Sequence, residues 1–190
     1  MRPFLAALVL VPLVACRDDL ADLPAPVTMT AEAVGHYCQM DLLEHPGPKG
    51  QVHLTGLPHP LFFSQVRDSI AYQRMPEQSH MIAVIYVSDM GAPGASWDDP
   101  GAANWIAAET AHFVVGSAIA GGMGAPELVP FSDPARAAAF AARNGGQVLR
   151  LADIPDAAVL TPVEIEGDIG AGDDGDFLNR LRALQAEQES

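Results

Sequence analysis

Glu127-Leu128-Val129-Pro130-Phe131-Ser132-Asp133-Pro134, then the Ala-rich run Ala135 to Ala142, then Asn144-Gly145-Gly146-Gln147-Val148-Leu149, decides the reading of this chain. Glu127 to Phe131 is a short apolar run that reads as a strand. Ser132 or Asp133 can cap a helix, because a short polar side chain there accepts from N–H groups the first helical turn leaves unpaired. Pro134 suits the first helical position, where the missing N–H costs nothing and φ is already helical. Alanines favour helix as far as Arg143, and Asn144-Gly145-Gly146 stops it. Gln147 to Leu151 then reads as another strand. Upstream, His112-Phe113-Val114-Val115-Gly116-Ser117 reads as a strand, and Gly121-Gly122-Met123-Gly124 forces a turn back towards Glu127. The block over residues 111–165 is therefore strand–strand–helix–strand.

The same order is expected over residues 28–90. His36 to Leu43 and Gln51 to Thr55 read as two short strands across the turn Pro46-Gly47-Pro48-Lys49-Gly50. Pro60 to Met75 carries Phe62, Phe63, Val66, Ile70 and Ala71 on one helical stripe. Met81 to Val87 is rich in β-branched residues and reads as a buried strand. The two blocks share element order, not residues. Between them, residues 91–110 form a connector whose turn-rich part holds Trp97, and Trp105 opens a short apolar stretch. The predicted class is α+β, two ββαβ units. After them, residues 166–190 are an acidic Gly/Asp linker and a short terminal helix with Phe177, Leu178, Leu181 and Leu184 on one face. The Asp spacing in that linker misses the calcium-loop pattern, so it reads as solvated.

The N-terminus has a different character. Arg2 precedes an apolar run, Phe4 to Val14, too short for an ordinary membrane-spanning helix. Leu13-Val14-Ala15-Cys16 closes it and resembles a bacterial lipobox. That resemblance implies cleavage before Cys16, lipidation of its sulfur and acylation of its amine. An ordinary secretory signal with an unrelated cysteine is the competing reading. Residues 1–15 are then a signal peptide and residues 16–27 a lipid-anchored tether, polar and proline-bearing. Arg17, rather than Asp, follows the cysteine, and by resemblance to lipoprotein sorting signals this points to the outer membrane, facing the periplasm.

Of 190 residues, 49% are apolar, enough for a core, and the formal net charge is −14. Such a balance argues against nucleic acid, which rewards clustered Lys and Arg. It argues equally against electrostatic docking to an anionic bilayer, so the lipid would supply the membrane anchor. The acidic surface would attract a cationic patch on a partner.

With Cys16 taken by lipid, Cys38 is the one remaining thiol, without a disulfide partner, in an exported protein. It is either buried as a small hydrophobe or a reactive or metal-binding thiolate. On a strand, Cys38 and Met40 would share a face. A thiolate with a thioether is a soft pair suited to Cu(I) and poorly suited to Mg, Ca or Mn. Two apolar residues facing a core explain the spacing equally well. Met123 stands on a glycine turn with little around to bury it and could reach a site shared by both blocks. Of the six histidines, His36 alone could share the face of Cys38. No G-x-S-x-G, phosphate-loop or dinucleotide-binding glycine pattern occurs.

Taken together, the lipobox, Cys38-Gln39-Met40, two ββαβ units, Met123-Gly124-Ala125-Pro126-Glu127-Leu128-Val129-Pro130-Phe131, the Ala-rich helix and Gly145-Gly146-Gln147-Val148-Leu149 resemble the NosL family. The resemblance covers nearly all of Thr28 to Val163. It implies a non-enzymatic, copper-binding lipoprotein, an accessory to building the copper centres of nitrous oxide reductase. The implied partner is that reductase or its assembly membrane complex. Carried over, Cys38 and Met40 are the metal-binding pair and Met123 the third candidate. Many members have a fuller Cys-x-x-Cys-Gly-Met pattern. Here His36 and Gln39 stand at two of its positions, so a second thiolate is absent and coordination is low. A thiol-dependent lyase or other enzyme using Cys38, or a structural lipoprotein without metal, are the rival readings.

Mass spectrometry of the membrane fraction is expected to find a mature chain that begins at an acylated Cys16. An unmodified N-terminus in the soluble periplasm would exclude the anchor.

Overall fold

The computed structural model describes residues 23–76, 78 and 80–162. The expected signal peptide, Cys16 and the acidic tail lie outside the described residues. Among the described residues, no helix is long and apolar enough to cross a membrane.

The first unit is β1 (Gly50–Leu54), β2 (Leu61–Phe63), α1 (Val66–Arg74) and β3 (Ile82–Ser88). Its order is the expected one, but two elements differ. His36 to Leu43 is not a strand. Val34 and Asp41 bridge, the residues between them form a tight turn, and Leu42–Glu44 is a 3-10 turn. Phe62 and Phe63 belong to a strand and not to the helix. Leu61–Phe63 pairs antiparallel with β1 before the helix opens at Val66. β1 is buried at every position and pairs antiparallel with β2 on one side and β3 on the other. The connector adds β4 (Trp105–Ala107) beside β3, giving a sheet of order β2-β1-β3-β4.

The second unit follows its sequence closely. β5 (His112–Val115) is the centre of a sheet of order β6-β5-β7, flanked antiparallel by β6 (Val129–Phe131) and β7 (Gln147–Leu149). α2 (Pro134–Asn144) starts as predicted: the Asp133 carboxylate accepts from the Ala135 N–H at 2.8 Å, with Pro134 in the first turn. Gly145 ends it at φ 75°, a conformation a side chain disfavours.

A short helix, α3 (Ala157–Leu160), is strapped across α1 by two arginines of that helix. Arg67 donates to the Ala158 and Thr161 carbonyls, and Arg74 to the Ile154 and Leu151 carbonyls and the Asp156 carboxylate. One apolar core joins both units: Val52, Phe63, Val66 and Ile70 of the first pack with Phe113, Leu128 and Leu151 of the second. Of the expected tether, the described part is also held, since Val27 exchanges hydrogen bonds with the Gln51 amide and Tyr86 Oη donates to the Pro24 carbonyl.

Asp89, just past β3, is a buried polar link between the units. One carboxylate oxygen accepts from the Gly91 and Ser132 N–H groups at 2.9 and 3.0 Å, the other from Ser132 Oγ at 2.5 Å. Removing it takes the acceptor from three donors, but the two on exposed Ser132 can turn to water, so the loss is nearer to that of one hydrogen bond to a charged group, about 1.5–3 kcal/mol. Asp89→Ala is expected to lower unfolding free energy by about 1.5–3 kcal/mol. Urea titration should show an earlier midpoint at unchanged slope.

Candidate metal centre

Cys38 sits in the turn that joins Val34 to Asp41. The turn is closed by backbone: the Gly35 N–H donates to the Met40 carbonyl at 3.0 Å and the Gln39 N–H to the Gly35 carbonyl at 2.9 Å. Gln39 takes φ 56°, left-handed for a residue with a side chain. Its amide Nε2 offsets that cost by donating to the Gly35 and His36 carbonyls at 3.2 and 2.7 Å. The sulfur lies over Gly35, where a Cβ would stand 2.4 Å from Cys38 Sγ. Only glycine leaves that seat open.

The turn is fixed to the body in two ways. The His36 N–H donates to the Phe62 carbonyl at 2.7 Å. The rings of His36, Tyr37, Phe63 and Tyr72 form one cluster, with every pair of centroids between 5.2 and 6.5 Å apart. Edge-to-face pairs of this kind add to burial energy and fix orientation. Cys38 is half-buried, while His36 and Met40 are exposed. The expected convergence of Cys38 and Met40 on one strand face is therefore corrected: the two flank a left-handed residue in a turn.

Met123 comes from the second unit on the glycine loop expected to carry it, and it is 40% exposed. Gly121 and Gly122 let this loop lie directly on the first unit. A Cβ on Gly121 would come within 2.4 Å of Gln65 Oε1, and one on Gly122 within 2.6 Å of the Pro46 carbonyl. Gly35 in turn borders the Ser64 backbone N–H. The Cys38 turn and the Met123 loop thus flank one short stretch, Ser64–Gln65, between β2 and α1.

Two charged residues, Lys49 and Glu127, are buried close to the Met123 loop. Lys49 is 1% exposed and donates to the His45, Pro46 and Gly47 carbonyls at 2.8, 3.1 and 2.6 Å. Burial pushes its ammonium down to about 8, opposed by the charges of Glu127 and Cys38. Glu127 is 2% exposed, and burial pushes its carboxyl up to about 8. Three carbonyl acceptors favour the ammonium form of Lys49, while burial favours the protonated form of Glu127. In the sequence Lys49 reads as part of a Pro/Gly turn and Glu127 as a strand start; neither residue type in such a place signals burial. Among the described residues no group of three or more His, Cys, Asp or Glu could hold a metal. Cys38, Met40 and Met123 are the soft donors that these loops carry.

Comparison with known proteins identifies the family of the chain. The family model for NosL matches residues 26–159. The chain belongs to the NosL family. A relative named copper-binding lipoprotein NosL, from Achromobacter cycloclastes, is 62% identical over 184 residues, covering 97% of this chain and 95% of the relative. Another of the same name from Stutzerimonas stutzeri is 33% identical over 142 residues, covering 74% and 72%. The crystal structure of the copper chaperone NosL from Shewanella denitrificans superposes with a TM-score of 0.63 at 32% identity, covering 70% of this chain and 99% of that one. The α+β class of two ββαβ units is the fold of this NosL chain.

Gly35→Ala is expected to displace the Cys38 sulfur without unfolding the protein, because Gly35 is not at positive φ. The rate of thiol labelling in the native protein should change several-fold, while the urea midpoint moves little. Unchanged labelling would mean that the sulfur does not use the seat over Gly35.

Proposed function

We propose that this NosL protein binds one Cu(I) at the Cys38 turn and passes it on as a chaperone rather than turning over a substrate. The observation that carries the proposal is the combination of a half-buried thiol and two exposed thioethers, Met40 and Met123, on loops bordering Ser64–Gln65, in a chain 62% identical to a copper-binding lipoprotein. Thiolate and thioether are soft donors that favour Cu(I) over hard cations. Cys38 supplies the negative charge and the dominant bond. Met40 stands two residues away in a turn closed by backbone hydrogen bonds. Met123 approaches from the second unit on its own loop.

An ion held by so few donors at the surface can be transferred. The acceptor adds a ligand before the donor lets go, which a closed four-ligand site forbids. In this reading the acceptor is nitrous oxide reductase or its assembly membrane complex. The protein is anchored through Cys16 and faces the periplasm from the outer membrane. Its acidic surface favours encounter with a basic patch on the acceptor.

Titration under oxygen-free, reducing conditions against a competing chelator tests this. One Cu(I) per chain is expected. Cys38→Ser should lose more than about 100-fold in affinity, the upper range for losing merely an outer-shell partner. Met40→Ala should weaken binding more than Met123→Ala, since Met40 shares the turn with the thiol. Wild-type affinity in Cys38→Ser would refute the assignment, and a Met123→Ala loss equal to that of Cys38→Ser would make the loop a primary ligand.

A further inference from the structure

Soft side chains and glycines at the candidate centre do not explain why a carboxyl group is sealed beneath them. Glu127 Oε1 accepts from the Arg67 and Leu128 N–H groups at 3.0 and 2.8 Å. Its other oxygen, Oε2, is buried and has no donor, and neither has the buried Gln65 Oε1. Both unpartnered oxygens face Gly121, where a built Cβ would lie 2.9 Å from Glu127 Oε2 and 2.4 Å from Gln65 Oε1. The Gln65 amide cannot simply be reversed to present a donor, because its Nε2 is directed to Asp68 Oδ2 at 3.3 Å. Two acceptors facing one glycine in a buried seam leave a donor missing.

We propose that Glu127 Oε2 carries a proton, donates it to Gln65 Oε1, and so forms a neutral clasp across the two units that seats the Gly121–Gly124 loop and positions Met123. The part concerning Met123 and copper rests on the function proposed above. The clasp itself does not. Glu127 is here a positioning residue, acting through the loop.

The groups around the carboxyl favour this state. Lys49 is attractive to a carboxylate, but its ammonium is already engaged by three carbonyls. Asp68, in the first turn of α1, repels a second negative charge. The Arg67 guanidinium is turned away to the Ala158 and Thr161 carbonyls. Burial is the largest influence and holds the proton up to about 8. The sign follows: below that value the clasp is closed, and as pH rises through it Glu127 becomes an acceptor facing an acceptor and the loop is released.

NMR of the metal-free mature chain with labelled Glu, Gly and Met tests the clasp. From pH 5 to 9.5, the Glu127 carboxyl carbon, the Gly121, Gly122 and Gly124 amides and the Met123 methyl should follow one midpoint near 8. Glu127→Gln, a permanent mimic of the protonated form, should keep the loop signals at their low-pH positions throughout. Gln65→Leu, which leaves the Glu127 contact with α1 in place, should hold them near their high-pH positions. A Glu127 midpoint at the ordinary 4.5, or a loop transition that persists in Glu127→Gln and so belongs to Lys49, overturns the proposal. Cu(I) titration separates the two readings. Above pH 8.5, Glu127→Gln should bind about 10-fold more tightly than wild type, the scale of a lost supporting contact. If the loop titrates with Glu127 but the affinities stay equal, the clasp stands and the role of Met123 in copper binding falls.

Discussion

A single carboxyl group, Glu127, ties the first unit to the second where the candidate ligands lie. α1 begins at Val66 without a side-chain cap from Gln65, so its first turn exposes N–H groups that need acceptors. The acceptor for Arg67 comes from Glu127, sixty residues away and in the other unit. The same side chain lies against Gly121 and so against the loop that carries Met123. Helix start, unit interface and loop position therefore depend on one residue. A short polar side chain at the cap would have satisfied α1 locally. The long-range solution makes the geometry of one unit conditional on the other.

Lys49 supports the Met123 loop from the side of the first unit. Its ammonium gathers the carbonyls of His45, Pro46 and Gly47 into one wall. Gly122 packs against the Pro46 carbonyl of that wall. An unpaired buried cation is costly, and three carbonyl bonds offset only part of that cost. The aromatic cluster of His36, Tyr37, Phe63 and Tyr72 supplies the stiffness that a turn exposed on one side would otherwise lack.

The second unit was legible in the sequence because each of its elements carries its own local signal. Asp133 and Pro134 mark the start of α2, and Gly145 its end. The first unit was less legible. Cys38-Gln39-Met40 has the alternation of a strand, yet the chain reverses there, because Gln39 takes a left-handed conformation that its amide stabilises by two hydrogen bonds to nearby carbonyls. Nothing in the residue type announces this, as Gly or Asn would have done. Phe62 and Phe63 fit a helical stripe and a strand alike, and pairing with β1 decided for the strand. The sulfur residues were visible because their chemistry is unusual. Glu127, Gln65 and Lys49 were not, because charged and amide side chains are mostly exposed and burial of these three is settled by tertiary packing.

In the role proposed above, a thiol at the rim with charges inside follows from what transfer of an ion requires. Burying Cys38 among apolar residues would protect it from oxidation, but would also seal it from an acceptor. Leaving the whole turn mobile would admit the acceptor, but would let sulfur wander from the geometry that binds the ion. The structure separates the two demands. The sulfur is half-exposed, while the backbone beneath it is held by the Gly35–Met40 and His36–Phe62 hydrogen bonds and by the ring cluster. Met123 is exposed on its own loop, while the base of that loop is packed on Gln65, Glu127 and Pro46. Rigidity is thus placed one layer below the surface, in buried polar groups, and the surface layer is left to the side chains that would exchange the ion.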